Sequence, residues 1–270
     1  MNRYLELFRL ENGIIGIVGI VVSAFIAVGN GIVDHVPNIA ITCVITICFI
    51  AGGNSINDYV DREIDKVSHP ERPIPSGRLE PRSALIVGSV ALALSCILSL
   101  FLGSILSTLI VIVAVILMLS YELALKQRGF VGNITIAVLT GMVFLLGGSI
   151  TGNIESSYEV ACMAALVTVG REITKDIEDM EGDEGRHTLP MLIGKRNAGI
   201  VAAAFFIAGP ILSILPIIQG TFSQLYYTVL VADAMFIYTA IILFSEPHKA
   251  QRMAKYAMIV ALVAFILGAI

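Results

Sequence analysis

The sequence predicts an all-α fold, a polytopic membrane bundle of nine transmembrane helices, and three observations lead to it. First, 57% of the 270 residues are hydrophobic and only 14% are charged, and the mean hydropathy of +0.88 is far above that of an ordinary soluble domain. Second, apolar stretches of about 20 residues, long enough to span a bilayer as a helix, recur along the chain. Third, these stretches lack the alternation of a membrane β-barrel, and lipid does not tolerate open sheet edges.

Nine apolar segments can be assigned in order along the chain. They lie at about 13–33, 38–57, 83–102, 104–121, 131–150, 157–176, 198–218, 225–244 and 253–270. The first segment lacks an A-x-A-type cleavage site and is followed by eight more, so it is expected to be retained rather than removed as a signal sequence. The whole chain, residues 1–270, is expected to form a single transmembrane domain.

The basic residues predict the orientation of this bundle. All 17 Lys and Arg lie in or beside alternate connections, while the connections around 29–37, 103–104, 151–157 and 219–224 contain none. By the positive-inside rule, the N-terminus and the charged connections face the cytoplasm. Nine crossings of the cell membrane then leave Ile270 outside.

Some polar and sulfur-containing residues of the apolar segments receive no catalytic role. Cys43, Cys48, Cys96 and Cys162 lack the clustered spacing of a zinc site and are interpreted as small packing residues. Asp233 lies near the middle of the eighth segment, where a carboxylate is costly, and the sequence offers no basic partner for it in the spans.

Two of the cytoplasmic connections, at about 58–82 and 177–197, are long and charged, and chemistry at the membrane surface is expected there. The first follows a cluster of polar residues at the end of the second span. Its members are Asn54, Asn57, Asp58, Asp61 and Asp65. All but Asn57 fall within about 60° of one helical face. Carboxylates on one face at a helix C-terminus repel each other and oppose the helix dipole, so a cation is needed to offset them.

The carboxylate pattern is duplicated at the end of the sixth span. The two sets match at a separation of 118 residues: Asp58 with Asp176, Asp61 with Asp179, and Asp65 with Asp183. Because the second and sixth spans are four helices apart, the chain is predicted to contain two four-helix repeats and a ninth helix. A repeat of this kind tends to place its site between the two halves. A lone aspartate is usually a solvated charge at a helix end, but the duplication favours a functional site.

The chemistry of both clusters favours a magnesium-bridged diphosphate as the ligand. Hard oxygen donors without clustered His or Cys select Mg²⁺, which usually binds one or two carboxylates together with substrate phosphates. The same connections contain cationic side chains that suit anionic oxygens: Arg72, Arg78, Arg171, Lys175 and Arg186. Departure of a diphosphate from an allylic carbon leaves a cation, and with no Trp in the chain, rings such as those of Tyr59 and Tyr121 are the candidates to face it.

These motifs resemble those of the UbiA superfamily of intramembrane prenyltransferases. The resemblance lies in Asn57-Asp58-x-x-Asp61-x-x-x-Asp65 and Asp176-x-x-Asp179-x-x-x-Asp183, which are similar to the two aspartate-rich motifs of the family. Arg9-x-x-Asn12 and the segment from Tyr121 to Lys126 are similar to two further motifs. The likeness covers the whole chain, including the number of helices and the placement of the loops.

The resemblance implies a role for each matched residue. The implied metal ligands, for Mg²⁺, are Asp58, Asp61, Asp65, Asp176, Asp179 and Asp183. The implied catalytic residues are Asp58, Asp61, Asp176, Lys126 and Tyr121. The implied substrate-binding residues are Arg9, Asn12, Asn54, Asn57, Arg72, Arg171 and Lys175. From spacing alone, Lys126 and Tyr121 are equally well interpreted as ordinary residues of a membrane interface.

Within the superfamily, the segment from Arg171 to Asp183 is most similar to archaeal members. That likeness implies transfer of geranylgeranyl from geranylgeranyl diphosphate to geranylgeranylglyceryl phosphate, which releases diphosphate and forms the second ether bond of archaeal membrane lipids. The partners implied are these two substrates and the lipid bilayer, with no nucleic acid and no obligate protein partner.

Three alternatives stay open at this point. One is a prenyltransferase of the same superfamily that acts on an aromatic quinone precursor or another acceptor. Another is a membrane transporter, although transporters bind near the bilayer midplane and these carboxylates lie at helix ends. The third, a CDP-alcohol phosphotransferase, would have a single aspartate motif of a different pattern.

Overall fold

The computed structural model describes residues 3–180 and 187–270, and within these ranges the chain is helical and contains no β-strand. Its α-helices are α1 (Arg3–Phe8), α2 (Leu10–Val28), α3 (Val36–Val60), α4 (Arg62–Ser68), α5 (Pro81–Ser99), α6 (Ile105–Ser120), α7 (Phe130–Ser149), α8 (Tyr158–Asp179), α9 (Leu189–Ile193), α10 (Lys195–Gln219), α11 (Val229–Ile242) and α12 (Pro247–Ala269). Nine of these, all except α1, α4 and α9, have 14 residues or more.

The nine long helices form a closed ring. Each packs on the next in chain order, from α2 through α3, α5, α6, α7, α8, α10 and α11 to α12, and α12 closes the ring on α2. Further contacts, of α2 with α7 and of α12 with α8, join the two sides. The carboxyl end of α3 contacts the segment before α2 through Asp58 and Arg9. The carboxyl end of α8 contacts the amino ends of α7 and α12, through Asp176 with Asn133 and Glu178 with His248. These helix ends therefore lie at one end of the ring, here called the charged end.

The chain is an integral, multi-pass membrane protein. Seven segments of the described residues are long and apolar enough to cross a bilayer, and the first of them, Gly13–Val60, contains both α2 and α3. Helix α8 is not among the seven, since its last turns carry several charged residues. Large apolar side chains are exposed on the outside of the ring, such as Ile86, Val90 and Ile97 of α5. The prediction of nine crossings in two repeats remains a prediction.

Helix α3, which carries the first carboxylate cluster, is held closely against α5. A Cβ atom on Gly52 would lie 2.7 Å from the Leu92 side chain, and one on Gly88 would lie 3.0 Å from Ser55. Glycine at both positions therefore lets the two backbones approach. This contact fixes the face of α3 from which Asp58 projects.

Two helix boundaries differ from those expected. Helix α3 extends to Val60, beyond the predicted end of the second span, and the chain bends at Asp61 before α4 begins. The backbone bonds from Asp61 N to Asn57 O and from Asp65 N to Asp61 O, both 2.8 Å, keep the helical repeat through the bend. The carboxylates predicted to share one helical face therefore belong to different elements: Asp58 lies in α3, Asp61 at the bend, and Asp65 in α4.

The eighth predicted span, 225–244, consists of a 3-10 turn, Gln224–Thr228, followed by α11. Asp233 therefore lies in the second turn of α11, nearer the helix start than its position in the predicted span indicated. Its carboxylate accepts a 2.8 Å hydrogen bond from the Ser213 hydroxyl of α10. This bond supplies a neutral partner in place of the basic one that the spans lack.

Candidate active site

Asp58 and Asp65 form the buried part of the first cluster. Their side chains are only 2% and 4% exposed. Asp58 is ion-paired with Arg9, and Arg72 donates to Asp65 at 2.6 Å while lying 3.8 Å from Asp58. A buried carboxylate is tolerated only when it is paired and hydrogen-bonded, so the two arginines stabilise the charges that the sequence places on one face.

Arg9 reaches Asp58 because the chain breaks between α1 and α2. Arg9 adopts a left-handed conformation with φ of +47°, which is uncommon for a residue with a side chain. The Asn54 amide donates a 2.8 Å hydrogen bond to the carbonyl oxygen of Phe8, the residue before the break. Asn54 thus holds the α1–α2 junction, and with it the Arg9 side chain, against α3. The side chain of Asn12, in α2, lies outside the described residues.

Asp61 is paired with a residue from a distant part of the chain. The Lys126 ammonium group forms an ion pair with its carboxylate and lies 3.5 Å from Glu122. The Asn57 amide donates to Glu122 at 2.8 Å and to Asp61 at 3.2 Å. The four side chains therefore form one network that joins α3 to the segment after α6.

That segment contains a single turn of π-helix, Tyr121–Leu125, closed by a 2.9 Å bond from Lys126 N to Tyr121 O. Residues five apart in an α-helix are rotated by about 140° from each other. In the wider π turn, whose hydrogen bond joins residues five apart, the rotation per residue is smaller, so Lys126 lies nearer to the face of Tyr121 than it would in an α-helix. The Tyr121 ring lies against the start of α7, since a Cβ atom on Gly132 would be 3.5 Å from it.

The second cluster, at the end of α8, is more open. Asp176 accepts a 2.9 Å hydrogen bond from the Asn133 amide of α7, whereas Asp179 and Lys175 are exposed. Arg171 lies 3.2 Å from its neighbour Glu172. The predictions for Asp183 and Arg186 fall on residues 181–186, which lie outside the described part of the chain.

The connection between α6 and α7 links the two clusters. Lys126, directly after the π turn of this connection, contacts the first cluster. Asn133, in the first turn of α7, contacts the second. Between them, Gly129 has φ of +53° and packs so tightly that an added Cβ atom would lie 2.4 Å from the carbonyl oxygen of His187. The structure thus brings both clusters to the connection between α6 and α7.

Other residues expected at the site contact different partners. The Arg78 guanidinium donates two 2.7 Å hydrogen bonds to Glu6, and these bonds hold the pKa of the Glu6 carboxyl below its ordinary value. The Tyr59 ring lies under the Arg62 guanidinium at 4.6 Å and lines a separate cavity beside the start of α5. Tyr121 is therefore the better placed of the two tyrosines named from the sequence.

The donor set suits a hard divalent cation. The carboxylates of the first cluster offer only oxygen, the ligand that Mg²⁺ prefers. In residues 3–180 and 187–270, no group of three His, Cys, Asp or Glu side chains is arranged to hold a metal ion without other ligands. A metal bound at one or two of these carboxylates would complete its shell with phosphate oxygens and water, as Mg²⁺ commonly does.

Two residues of the site were not selected from the sequence, Glu122 in the network around Lys126 and Asn133 beside Asp176. Each had a signal. Glu122 is four residues before Lys126, the spacing of a helical ion pair. Asn133 is a polar residue inside an apolar span, where polar side chains usually face a partner or a cavity.

Comparisons with known proteins identify the family of the chain. The UbiA prenyltransferase family matches residues 17–266. Digeranylgeranylglyceryl phosphate synthase of Methanosphaera stadtmanae is 38% identical over all of both chains, and that of Methanothermobacter thermautotrophicus is 37% identical over 99% of this chain and 96% of its own. The chain belongs to the UbiA prenyltransferase family, and it is an enzyme, a prenyltransferase.

Solved structures share the fold. One, from work on digeranylgeranylglyceryl phosphate synthase in membranes, superposes with a TM-score of 0.85 at 32% identity and covers 99% of this chain and 97% of its own. A UbiA homologue from Archaeoglobus fulgidus, bound to GPP and Mg²⁺, has a TM-score of 0.71 at 17% identity, with 96% of this chain and 99% of that one covered. At that identity the likeness concerns the fold alone.

Proposed function

We propose that the protein transfers a geranylgeranyl group from geranylgeranyl diphosphate to geranylgeranylglyceryl phosphate, in a reaction that depends on Mg²⁺ and releases diphosphate. The product carries the second ether bond of an archaeal membrane lipid. The observation that carries the proposal is the network at the charged end, where Lys126 contacts Asp61 and Asn133 contacts Asp176, so that one connection serves both carboxylate clusters. The names of the full-length relatives support the choice of substrates.

In the proposed reaction the diphosphate lies at the charged end and the prenyl chain extends into the ring. Mg²⁺, held by carboxylates of the two clusters, would neutralise the negative charge that develops on the departing diphosphate. The cations that pair with the first cluster, Arg9, Arg72 and Lys126, suit diphosphate oxygens by the same charge-assisted bonds. Arg171 and Lys175 would serve the second cluster in the same way.

The chemical step breaks the bond between the allylic carbon and the diphosphate oxygen. The carbon then bonds to the glycerol hydroxyl oxygen of the acceptor, which loses its proton. Of the two tyrosines named from the sequence, Tyr121 is the one proposed to face the allylic cation. Because that cation is strongly electrophilic, no tuned general base is required, and we assign none.

The acceptor is proposed to be a phosphorylated glyceryl ether rather than an aromatic ring. An anionic acceptor needs a cation beyond those that hold the diphosphate. Arg9 and Lys126 already pair with Asp58 and Asp61, whereas Arg128 is exposed in the α6–α7 connection, close to the same network. Arg128 is therefore our first candidate for the acceptor phosphate.

The test of this proposal is a comparison of acceptors with geranylgeranyl diphosphate as the donor. Purified protein is incubated with geranylgeranylglyceryl phosphate, 4-hydroxybenzoate or a naphthoate, and the prenylated products are quantified. We expect the glyceryl phosphate to react fastest, and Arg128→Gln to raise its KM while leaving diphosphate binding unchanged. Faster prenylation of an aromatic acid would contradict the proposed acceptor and leave only the assignment to the prenyltransferase family.

The proposed arrangement in the membrane has the N-terminus and the charged end in the cytoplasm, nine crossings, and Ile270 outside. Its support is the distribution of Lys and Arg along the sequence. The seven segments that can span a membrane are compatible with it, since one contains two helices and α8 adds a ninth long helix.

A further inference from the structure

Glu122 is a buried carboxylate for which the proposed reaction has no use. Its side chain is 6% exposed, it accepts a 2.8 Å hydrogen bond from Asn57, and it lies 3.5 Å from the Lys126 ammonium group. Burying a carboxylate is costly unless it is paired and hydrogen-bonded. Glu122 lies within the segment from Tyr121 to Lys126 that resembles a family motif, but the resemblance gives it no role, and the proposed metal set does not include it.

Lys126 has two carboxylate partners of different kinds. Asp61 belongs to the proposed metal-binding set, and its side chain is 14% exposed. Glu122 does not belong to that set, is only 6% exposed, and accepts a hydrogen bond from Asn57. A metal that binds Asp61 would remove one partner from Lys126, whose side chain is only 16% exposed, and Glu122 would be the partner that remains.

We infer that Glu122 is a positioning residue that holds the Lys126 ammonium group at the diphosphate while the metal occupies Asp61. The inference rests on the proposed function. Without Glu122, metal binding at Asp61 would leave a largely buried ammonium group with no carboxylate, and an unpaired buried charge is costly. The spacing of four residues places Glu122 and Lys126 on the same side of the segment, where they lie 3.5 Å apart.

Removal of the negative charge of Glu122 has two opposing effects on anion binding. It reduces the repulsion between this carboxylate and a diphosphate, which favours binding. It also leaves Asp61 as the remaining carboxylate partner of Lys126, so the ion pair between them becomes stronger. A metal ion and a diphosphate must then compete with that ion pair, which opposes the binding of both. The direct contact of Lys126 with Asp61 makes the second effect the larger, so weaker binding is expected.

The experiment measures binding of inorganic diphosphate in the presence of Mg²⁺ by calorimetry on the full-length protein in detergent. We expect Glu122→Gln to weaken binding about tenfold, the scale of one lost charge-assisted contact, and to raise the Mg²⁺ concentration required. The matched control is Glu246→Gln, since Glu246 is exposed and pairs with Lys249 at 3.5 Å, three residues on. The control should bind as the wild type does.

A double-mutant cycle tests whether Glu122 changes diphosphate binding through Lys126. If Glu122 acts through Lys126, Glu122→Gln has little further effect in a Lys126→Met background. A tenfold loss that persists in that background overturns the inference, and so does wild-type binding by Glu122→Gln. Failure of the wild type itself to bind Mg²⁺ and diphosphate would contradict the proposed function and, with it, this inference, whereas a wild type that binds and a variant that binds equally well would overturn the inference alone.

Folding of the variants provides a second criterion. If Glu122→Gln alone does not fold, the pair Glu122→Gln/Lys126→Met should fold, because it also removes the ammonium group that Glu122 is inferred to hold. A folded double variant, as judged by thermal unfolding and gel filtration, supports the pairing of Glu122 with Lys126. If the double variant also fails to fold, Glu122 has a general structural role and the inference is wrong.

Discussion

The Asn133 side-chain amide donates a 2.9 Å hydrogen bond to the carboxylate of Asp176, 43 residues later in the chain. This bond orients the first carboxylate of the second cluster from the neighbouring helix. Asn133→Leu is expected to remove the orientation and to lower turnover about tenfold, the scale of one bond to a charged group. Asn38→Ala is the control, since Asn38 bonds the Ile150 carbonyl in the opposite half of the bundle. Equal activity of the two variants would contradict a role for Asn133 at the site.

The carboxylates of both clusters are expected to be required for activity. Asp58→Asn and Asp176→Asn should each lower turnover by about 100-fold or more, because each removes a negative charge that would hold the metal. Release of diphosphate measures this, and gel filtration verifies that the variants are folded. The exposed Asp34, in the connection before α3, provides the control Asp34→Asn. Full turnover in an excess of chelator would rule out the metal dependence.

Gly129 is expected to be essential for the contact between the α6–α7 connection and the second loop. An alanine there would have both a φ of +53° and a Cβ atom 2.4 Å from the His187 carbonyl oxygen. Gly152→Ala is matched for backbone strain, with φ of +80° but open space around it. Strain of this kind costs about 1–3 kcal/mol, and the steric conflict adds to it at Gly129. Thermal unfolding should therefore show a larger loss for Gly129→Ala, and equal losses would refute the tight contact.

The pairing of Glu6 with Arg78 predicts a dependence of stability on pH. Hydrogen bonds from Arg78 lower the pKa of Glu6 in the folded protein, so the stabilisation is present at neutral pH and is lost as the pH falls through that lowered pKa. Arg78→Gln should unfold at a lower temperature than the wild type at pH 7. The two midpoints should converge in acid. A difference that persists at acid pH would assign the effect of Arg78 to another contact.

The predicted orientation can be tested by labelling single cysteines after the native cysteines are replaced. Ser76, in the exposed part of the first charged connection, should react only from the cytoplasm. Ser156, in the connection between α7 and α8, should react only from outside. Reaction of both positions from the same side would mean that the nine-crossing topology is wrong.

The positions of the long helices and of both carboxylate clusters could be predicted from local patterns in the sequence. Apolar runs of bilayer length determine where the long helices lie, because lipid leaves the backbone no alternative to its own hydrogen bonds. The spacing of Asp58, Asp61 and Asp65 identified the first cluster, since residues three and four apart share a helical face. The repeat of that spacing identified Asp176 and Asp179. These patterns did not determine the helix boundaries, since the chain bends at Asp61 and α11 begins only at Val229.

The tertiary structure decided which cation each carboxylate meets. Lys126 pairs with Asp61 across 65 residues and Arg9 with Asp58 across 49, and no periodicity in the sequence encodes such pairs. Glu122 and Asn133 became visible as site residues only when the ring placed them beside Asn57 and Asp176. The physical reason is that a helical pattern specifies the face on which a side chain lies, whereas the packing of helices around the closed ring specifies what that face meets.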